Sequence, residues 1–323
     1  MTIPMAATPD ISVCVLTWNQ AGYIHQAVKS VVSQVVDARI EVLVGDDCST
    51  DGTDEVVRAM EAEFPGVVRL VRHPRQLGAS CNYKKLLELA QGEFIAHLDG
   101  DDYWLPGKLQ KQMDFMRANF GCSAVYTNAY VVDTQGTWRG LFNNSPSQDL
   151  NLCRLLARGN FLNMSSMLFR ANTKHLLLAI DEAFIDYRVH LRLARTGHLA
   201  VIAEPLVVYR VNSATSMLAR DESNVRQMYW QAIRDAPRDL VSDQAFAQGV
   251  ADFYRRVLFR AVLTRNIALA RKWWPTIWSA SPYGAVRMSW LLLIACLRAA
   301  NNRLFGLINT GAGGPRPRVM YRH

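Results

Sequence analysis

Cysteine spacings that bind metal or carry redox chemistry are missing from this chain. Its six cysteines (Cys14, Cys48, Cys81, Cys122, Cys153 and Cys296) are scattered, with no C-x-x-C or C-x-x-C-H among them. That argues against a zinc site, a thioredoxin-like motif or a disulfide framework, and it fits a reducing cytoplasm. Residues 1–10 contain Pro4 and Pro9 but no basic segment leading into an apolar one, so no secretory signal is read and the chain is expected to start in the cytosol. The apolar stretch "WLLLIACL" is confined between Arg287 and Arg298, far short of the roughly 20 residues that span a bilayer. Acidic residues stop at Asp252. Beyond it come twelve Lys and Arg, together with Trp273, Trp274, Trp278 and Trp290, so a negatively charged surface is expected to face this end.

What is present suits a globular protein. The chain has 323 residues, half of them apolar, enough for a full core, and one large domain with an appendage is expected rather than three small ones. The net charge of +8 is uneven: residues 220–323 hold 16 of the 36 Lys+Arg and only 6 of the 28 Asp+Glu, which leaves residues 1–219 slightly acidic. The expected division is therefore a catalytic unit over 1–219 and a helical, basic region over 220–323.

The first part alternates between strand and helix patterns. Ile11–Leu16, Glu41–Val44, Val67–Val71 and Glu93–His97 are short apolar, β-branched runs that read as buried strands. Helical patterns over Tyr23–Val36, Asp54–Glu63 and Asn82–Ala90 separate them. This rhythm predicts an α/β fold with a mainly parallel sheet covered by helices. Ligands of such sheets bind beyond the carboxyl ends of the strands, where loops and helix N-termini converge. Thr17-Trp18-Asn19, Asp46-Asp47, Gln76-Leu77-Gly78 and Asp99 to Asp102 all fall there, and should line one cleft.

The blocks "ISVCVLTWNQ", "EVLVGDDCSTDGT", "LGASCN" with "QGEFIAHLDGDDYWLPGKLQKQ", and "DYRVHLRLARTGHLAVIAEPLVVYRVNSATS" occur in the order found in inverting glycosyltransferases of family 2. The chain resembles that family over about residues 10–217, which implies the GT-A fold, a Rossmann-like mixed sheet flanked by helices. By resemblance, Asp101 is a metal ligand, and Asp99 contacts the donor ribose or shares the metal. Asp47, with Thr17 and Trp18, borders the base of a donor expected to be UDP-linked, and Gly78 and Asn82 line the same nucleotide-sugar site. Asp102 reads as a cap for the helix begun by "LPGKLQKQMDFM".

A nucleotide sugar leaves a diphosphate behind, and a divalent cation on hard carboxylate ligands neutralises the charge that develops there, so Mg2+ or Mn2+ is the expected cofactor. An inverting transfer also needs a carboxylate base. Family members usually have Glu-Asp ahead of a helix with Leu-Arg-Leu; here the pair is Ile185-Asp186, and Asp186 is the expected base, with Asp181 or Glu182 as substitutes if the loop is shifted. Tyr209-Arg210-Val211-Asn212 resembles Tyr-Arg-x-His, which implies Arg210 at the diphosphate and Asn212 as a weak metal ligand in place of histidine. His97, His190 and His198 read as structural.

Beyond residue 219 no chemical motif appears. Ala251–Ala270 and Val286–Ile308 read as helices, and "GAGGPRPRVMYRH" as a flexible basic tail. Arginine and tryptophan without acid favour a peripheral contact with the inner face of the cytoplasmic membrane. The expected acceptor is a cell-surface glycan, as in polysaccharide or lipopolysaccharide synthesis, or a lipid-linked sugar. Two other classes stay open, a nucleotidyltransferase and a protein that binds a nucleotide sugar without turnover. No nucleic-acid partner is expected, because the site-bearing half is acidic.

Overall fold

The computed structural model describes residues 8–211, 222–308 and 319–321. The chain opens with the alternation its sequence predicts: β1 (Ile11–Thr17), α1 (Ala21–Val32), β2 (Ile40–Asp46), α2 (Thr53–Glu63), β3 (Val68–Arg72), α3 (Ala79–Leu89) and β4 (Phe94–Asp99). There follow β5 (Tyr103–Trp104), α4 (Lys108–Ala118), β6 (Cys122–Val132), β7 (Trp138–Asn143), β8 (Gln148–Leu150), α5 (Leu152–Arg158), β9 (Leu168–Arg170), α6 (His175–Leu178), α7 (Asp186–Leu193) and β10 (His198–Arg210). The last elements are α8 (Glu222–Arg234), α9 (Asp243–Leu263), α10 (Ile267–Ala280), α11 (Ala285–Ile308) and β11 (Val319–Tyr321).

Strand order along the sheet is β11-β7-β6-β9-β4-β1-β2-β3. The β4-β1-β2-β3 half is parallel throughout, and β1 is buried along almost its whole length because helices cover both of its faces. Short β9 is antiparallel to both β4 and β6 and joins the two halves. β10 runs parallel to β6 and also pairs with β5 and β8, so its last residue, Arg210, ends beside the turn that follows β4. The sheet is thus mixed but mainly parallel around the strands that carry the site.

The C-terminal helices pack on one face of this sheet. A single apolar cluster contains Tyr126 and Phe169 from the sheet, Leu155 from α5, and Trp230, Phe253, Trp273 and Met288 from the last four helices, so the core runs across residue 219 without a break. Trp230, Phe253 and Trp273 meet with ring centroids 5.0–6.1 Å apart. At α7, Arg188, Arg192 and Arg195 all pair with Asp235, just past the end of α8, at 3.4, 2.6 and 3.0 Å.

Two expectations for this region need correction. The helix read over 251–270 is two helices, because Arg265 takes a left-handed φ of 52° and the Asn266 side chain accepts from the Leu269 N–H at 3.2 Å, stopping one helix and capping the next. The tail is not wholly free: Val319–Tyr321 pairs in parallel with β7, and the Tyr321 ring lies 4.9 Å from Phe142.

Candidate active site

The loops after β1 and β2 are laced together by side chains the sequence places there. The Asn19 N–H donates to Ser49 Oγ at 2.8 Å, the Thr50 N–H to Asn19 Oδ1 at 2.9 Å, the Gln20 N–H to Thr53 Oγ1 at 2.9 Å and the Ala21 N–H to Asp51 Oδ2 at 3.0 Å. Asn19 and Cys48 both hold positive φ, 52° and 61°. Non-glycine residues rarely adopt this conformation, and here two of them lie in the joined loops after β1 and β2.

The buried Asp47 carboxylate accepts the Leu77 N–H at 2.7 Å and the Gly78 N–H at 2.9 Å, so it binds the segment ahead of α3 to the end of β2. Each of its oxygens keeps one further acceptor site. Gly78, with φ 85°, is the residue before α3. Asn82 sits deeper: its amide donates to the Gly45 carbonyl at 2.7 Å and its oxygen meets His73 Nε2 at 3.0 Å, which makes it a tie between α3 and β2. Thr17 is buried and its Oγ1 has no partner among the described residues, while Trp18 beside it is half-buried.

The turn after β4 sorts its three carboxylates by depth. Asp99 is half-exposed, and its Oδ1 lies 3.0 Å from His97 Nε2 beneath it. Asp101 is also half-buried. Asp102 is fully buried; Ser165 Oγ donates to it at 2.6 Å and the Arg210 N–H at 2.8 Å. Burial, and then the charges of Asp101 and Asp99, push its carboxyl well above the usual range. The expectation that Asp102 caps the next helix is therefore wrong: α4 begins after Gly107 with no side-chain cap. Gly100 has no room for a side chain, since a Cβ would lie 2.5 Å from Gln20 Oε1 and 2.9 Å from the Leu16 carbonyl. That close contact seats the turn on the end of β1.

Arg210 is spent on the same turn. Its Nε donates to the Asp101 carbonyl at 2.9 Å, its terminal nitrogens reach the Asp133 carbonyl at 3.4 Å and Gln26 Oε1 at 3.3 Å, and its guanidinium lies over the Tyr23 ring at 4.6 Å. It braces the carboxylate loop from below. Asn212 lies outside the described residues.

Asp186 is the first residue of α7. It is not that helix's cap: Ile185 holds the cap position, and the Asp186 carboxylate accepts the Tyr187 N–H at 2.7 Å and the Asn160 amide at 2.9 Å. Burial raises its carboxyl above the ordinary range against the two hydrogen bonds from Asn160 and Tyr187; the Asp99 charge adds to the rise and His97 opposes it, so the three groups lie near enough to act on one another. Asp181 and Glu182 are exposed, and Glu182 is paired with Arg188 at 2.9 Å.

Two contributors carry no sequence signal. Ser165 links Asp99 to Asp102 and Asn160 holds Asp186, each given its role only by the meeting of distant segments, whereas His97, read as structural, supports Asp99 from two residues away.

No group of three or more His, Cys, Asp or Glu side chains forms a metal cage among the described residues. The hard oxygens of Asp101 and Asp99 fit Mg2+ or Mn2+, ions that can take one or two protein carboxylates beside phosphate oxygens.

Comparison with known proteins identifies the fold and the family. A crystal structure of the mannosyltransferase PcManGT from Pyrobaculum calidifontis, in complex with GDP-Man and Mn2+, superposes with a TM-score of 0.51 at 21% identity, covering 92% of this chain and 88% of that one. The two share a fold. An uncharacterised protein of Mycobacterium tuberculosis is 30% identical over 202 residues, 62% of this chain but only 58% of its own length. The Escherichia coli protein named UDP-Glc:alpha-D-GlcNAc-diphosphoundecaprenol beta-1,3-glucosyltransferase WfaP is 26% identical over 219 residues, 67% of this chain and 83% of its own. The model of glycosyl transferase family 2 matches residues 12–176, just over half of the sequence and the whole run from β1 through the carboxylate turn to α6, and so the chain belongs to glycosyl transferase family 2.

Proposed function

We propose that the chain is an inverting glycosyltransferase that moves a sugar from a UDP-linked donor to a hydroxyl of a cell-surface glycan or lipid-linked acceptor. The observation that supports this reading is a half-exposed carboxylate turn, Asp99 to Asp101, with a buried carboxylate, Asp186, held by Asn160 and the Tyr187 N–H near enough to feel the Asp99 charge. The uridine edge would meet the free acceptor positions of Asp47, with Trp18 and Thr17 alongside; Gly78 would border it, and Asn82 would hold that wall in place. Asp99 would accept from the ribose or share the ion. Asp101 would hold Mg2+ or Mn2+, which when bound supplies charge neutralisation at the departing diphosphate. Asp186 Oδ would take the proton from the acceptor hydroxyl as that oxygen attacks the anomeric carbon from the face opposite the diphosphate, and raised basicity suits that task. Arg210 would act by keeping the Asp101 turn in shape.

The acceptor class draws support from the name of the Escherichia coli relative, which specifies a diphosphoundecaprenol acceptor. Among the described residues no helix is long and apolar enough to cross a membrane. α11 instead exposes a stripe of Val286 (86%), Trp290 (62%), Leu293 (46%) and Leu297 (59%), spaced so that all four lie on one helix face, with Arg287 and Arg298 exposed beside it. This stripe would rest at the headgroup level of an anionic leaflet and bring the cleft to a lipid-borne acceptor.

The test is a screen of UDP-sugars for Mn2+-dependent release of UDP, with the anomeric configuration of the product read by NMR. Inverted product and free UDP are expected. Retained configuration, or release of pyrophosphate instead of UDP, would sink the reading.

A further inference from the structure

The C-terminal helices do more at the cleft than cover the sheet. The path runs through Gly159 and Asn160, between α5 and β9. Gly159 has φ 77°, and a Cβ there would lie 2.6 Å from Asp252 Oδ2, 2.8 Å from an Arg256 terminal nitrogen and 2.9 Å from Tyr229 Oη. Three side chains from α8 and α9 therefore converge on this one backbone position. Arg256 Nε donates to Asp252 Oδ2 at 2.7 Å, and Arg255 donates to the other oxygen at 2.7 and 3.0 Å. Tyr229 stacks on Tyr187 with centroids 4.6 Å apart, lies under the Arg256 guanidinium at 5.6 Å, and accepts the Asn160 N–H at 2.8 Å. Asn160 in turn donates its side-chain amide to Asp186 Oδ2 at 2.9 Å, and its own oxygen accepts the Leu162 N–H at 3.3 Å.

We infer that Asn160 is a positioning residue for Asp186, held by Tyr229, Arg256 and Asp252, so that the helical region beyond residue 219 completes the proton-accepting side of the cleft. This rests on the reading of Asp186 as the base. With its backbone N–H on Tyr229 and its side-chain oxygen on Leu162, Asn160 can present its amide in only one direction, and that direction fixes how the Asp186 carboxylate is turned, with Oδ2 on Asn160, Oδ1 on the Tyr187 N–H and one further acceptor position on each oxygen. A donor on the charged form also favours the carboxylate, against the burial that favours the acid. The other titratable groups around Asp186 are Asp99 and His97 from β4, Tyr126 from β6, Tyr209 from β10, Tyr229 from α8 and Tyr321 from β11. None of the tyrosines titrates near neutrality, because burial raises all four. The tyrosines therefore add no titration of their own to a change made at Asn160.

The measurement is the carboxyl 13C titration of Asp186 in the full chain, assigned with Asp186→Asn, beside the pH profile of UDP release from UDP-glucose with Mn2+. In Asn160→Ala the titration midpoint should rise by about one pH unit, and the acid limb of the rate profile should rise with it. Turnover should fall about tenfold to a hundredfold through lost orientation. Tyr229→Phe, which removes the acceptor for the Asn160 N–H and keeps the ring, should move both midpoints in the same direction by less. An Asp186 midpoint that stays put in Asn160→Ala overturns the positioning role. A wild-type acid limb that does not follow the Asp186 midpoint overturns the base reading itself, and so the two failures are distinguishable.

Discussion

At the scale of single residues, the carboxylates after β4 differ by burial, and their substitutions should differ in kind. Asp101→Asn removes from a half-exposed turn the charge proposed to hold the ion, so turnover should drop about a hundredfold or more while the urea unfolding midpoint stays within error of wild type. Activity that survives would move the ion elsewhere. Asp186→Asn should lower kcat by roughly 10²–10⁴ with little change in the affinity for donor, measured by UDP-sugar calorimetry, because proton removal matters only as the reaction proceeds. The sequence singled out Asp99 and Asp101 by their place directly after an apolar run, and Asp186 only through the resemblance, by its distance from Leu191-Arg192-Leu193. Asp102 was misread because "LPGKLQKQ" begins a helix soon after it, yet Gly107 starts that helix and Asp102 turns inward to Ser165 and Arg210. A partner more than sixty residues away leaves no trace in local spacing.

At the scale of elements, α7 is fixed by charge as well as by packing. Asp235 receives Arg188 and Arg192 from that helix and Arg195 from just beyond its end, Arg192 through two nitrogens 2.6 and 2.9 Å away. Asp235→Ala leaves three guanidiniums crowded and partly buried, and it should cost about 2 kcal/mol, read as a lower urea midpoint at unchanged slope. The loss should shrink when Asp186 is already replaced only if the two groups share one network, which a double-mutant cycle would report. The parallel strands and their helices were legible because each is a short apolar run with its own period. β9, β10 and β11 were not, since their pairings join segments far apart and a three-residue strand has no period to read. The break between α9 and α10 escaped for a different reason: Arg265 at positive φ carries no glycine to announce it.

At the scale of the whole molecule, the basic end and the site-bearing sheet share one core. Cutting the chain near residue 252 would strip Trp273, Ile277 and Met288 from that core, so membrane contact is better tested by changing the surface alone. The full chain should co-sediment with vesicles containing phosphatidylserine and release as salt rises, because each Lys or Arg near such a surface contributes about 1 kcal/mol within a Debye length of roughly 8 Å. Trp290→Ser combined with Leu297→Ser should weaken that binding severalfold at every salt concentration and leave UDP release in solution unchanged. Equal recovery with neutral and anionic vesicles would remove the membrane from the account while leaving the transferase reading intact.

The last strand has a consequence of another sort, in time instead of space. A ribosome delivers Val319–Tyr321 after every other described residue, and until they arrive one side of β7 offers its backbone N–H and C=O groups to any neighbour. Nearly the whole core can form while the nascent chain is still tethered, but the sheet acquires its final margin only when synthesis has passed Tyr321. Because that margin borders the side of the cleft where Asp186 sits, assembly of the fold and closure of its working edge are separate events, and the second comes late.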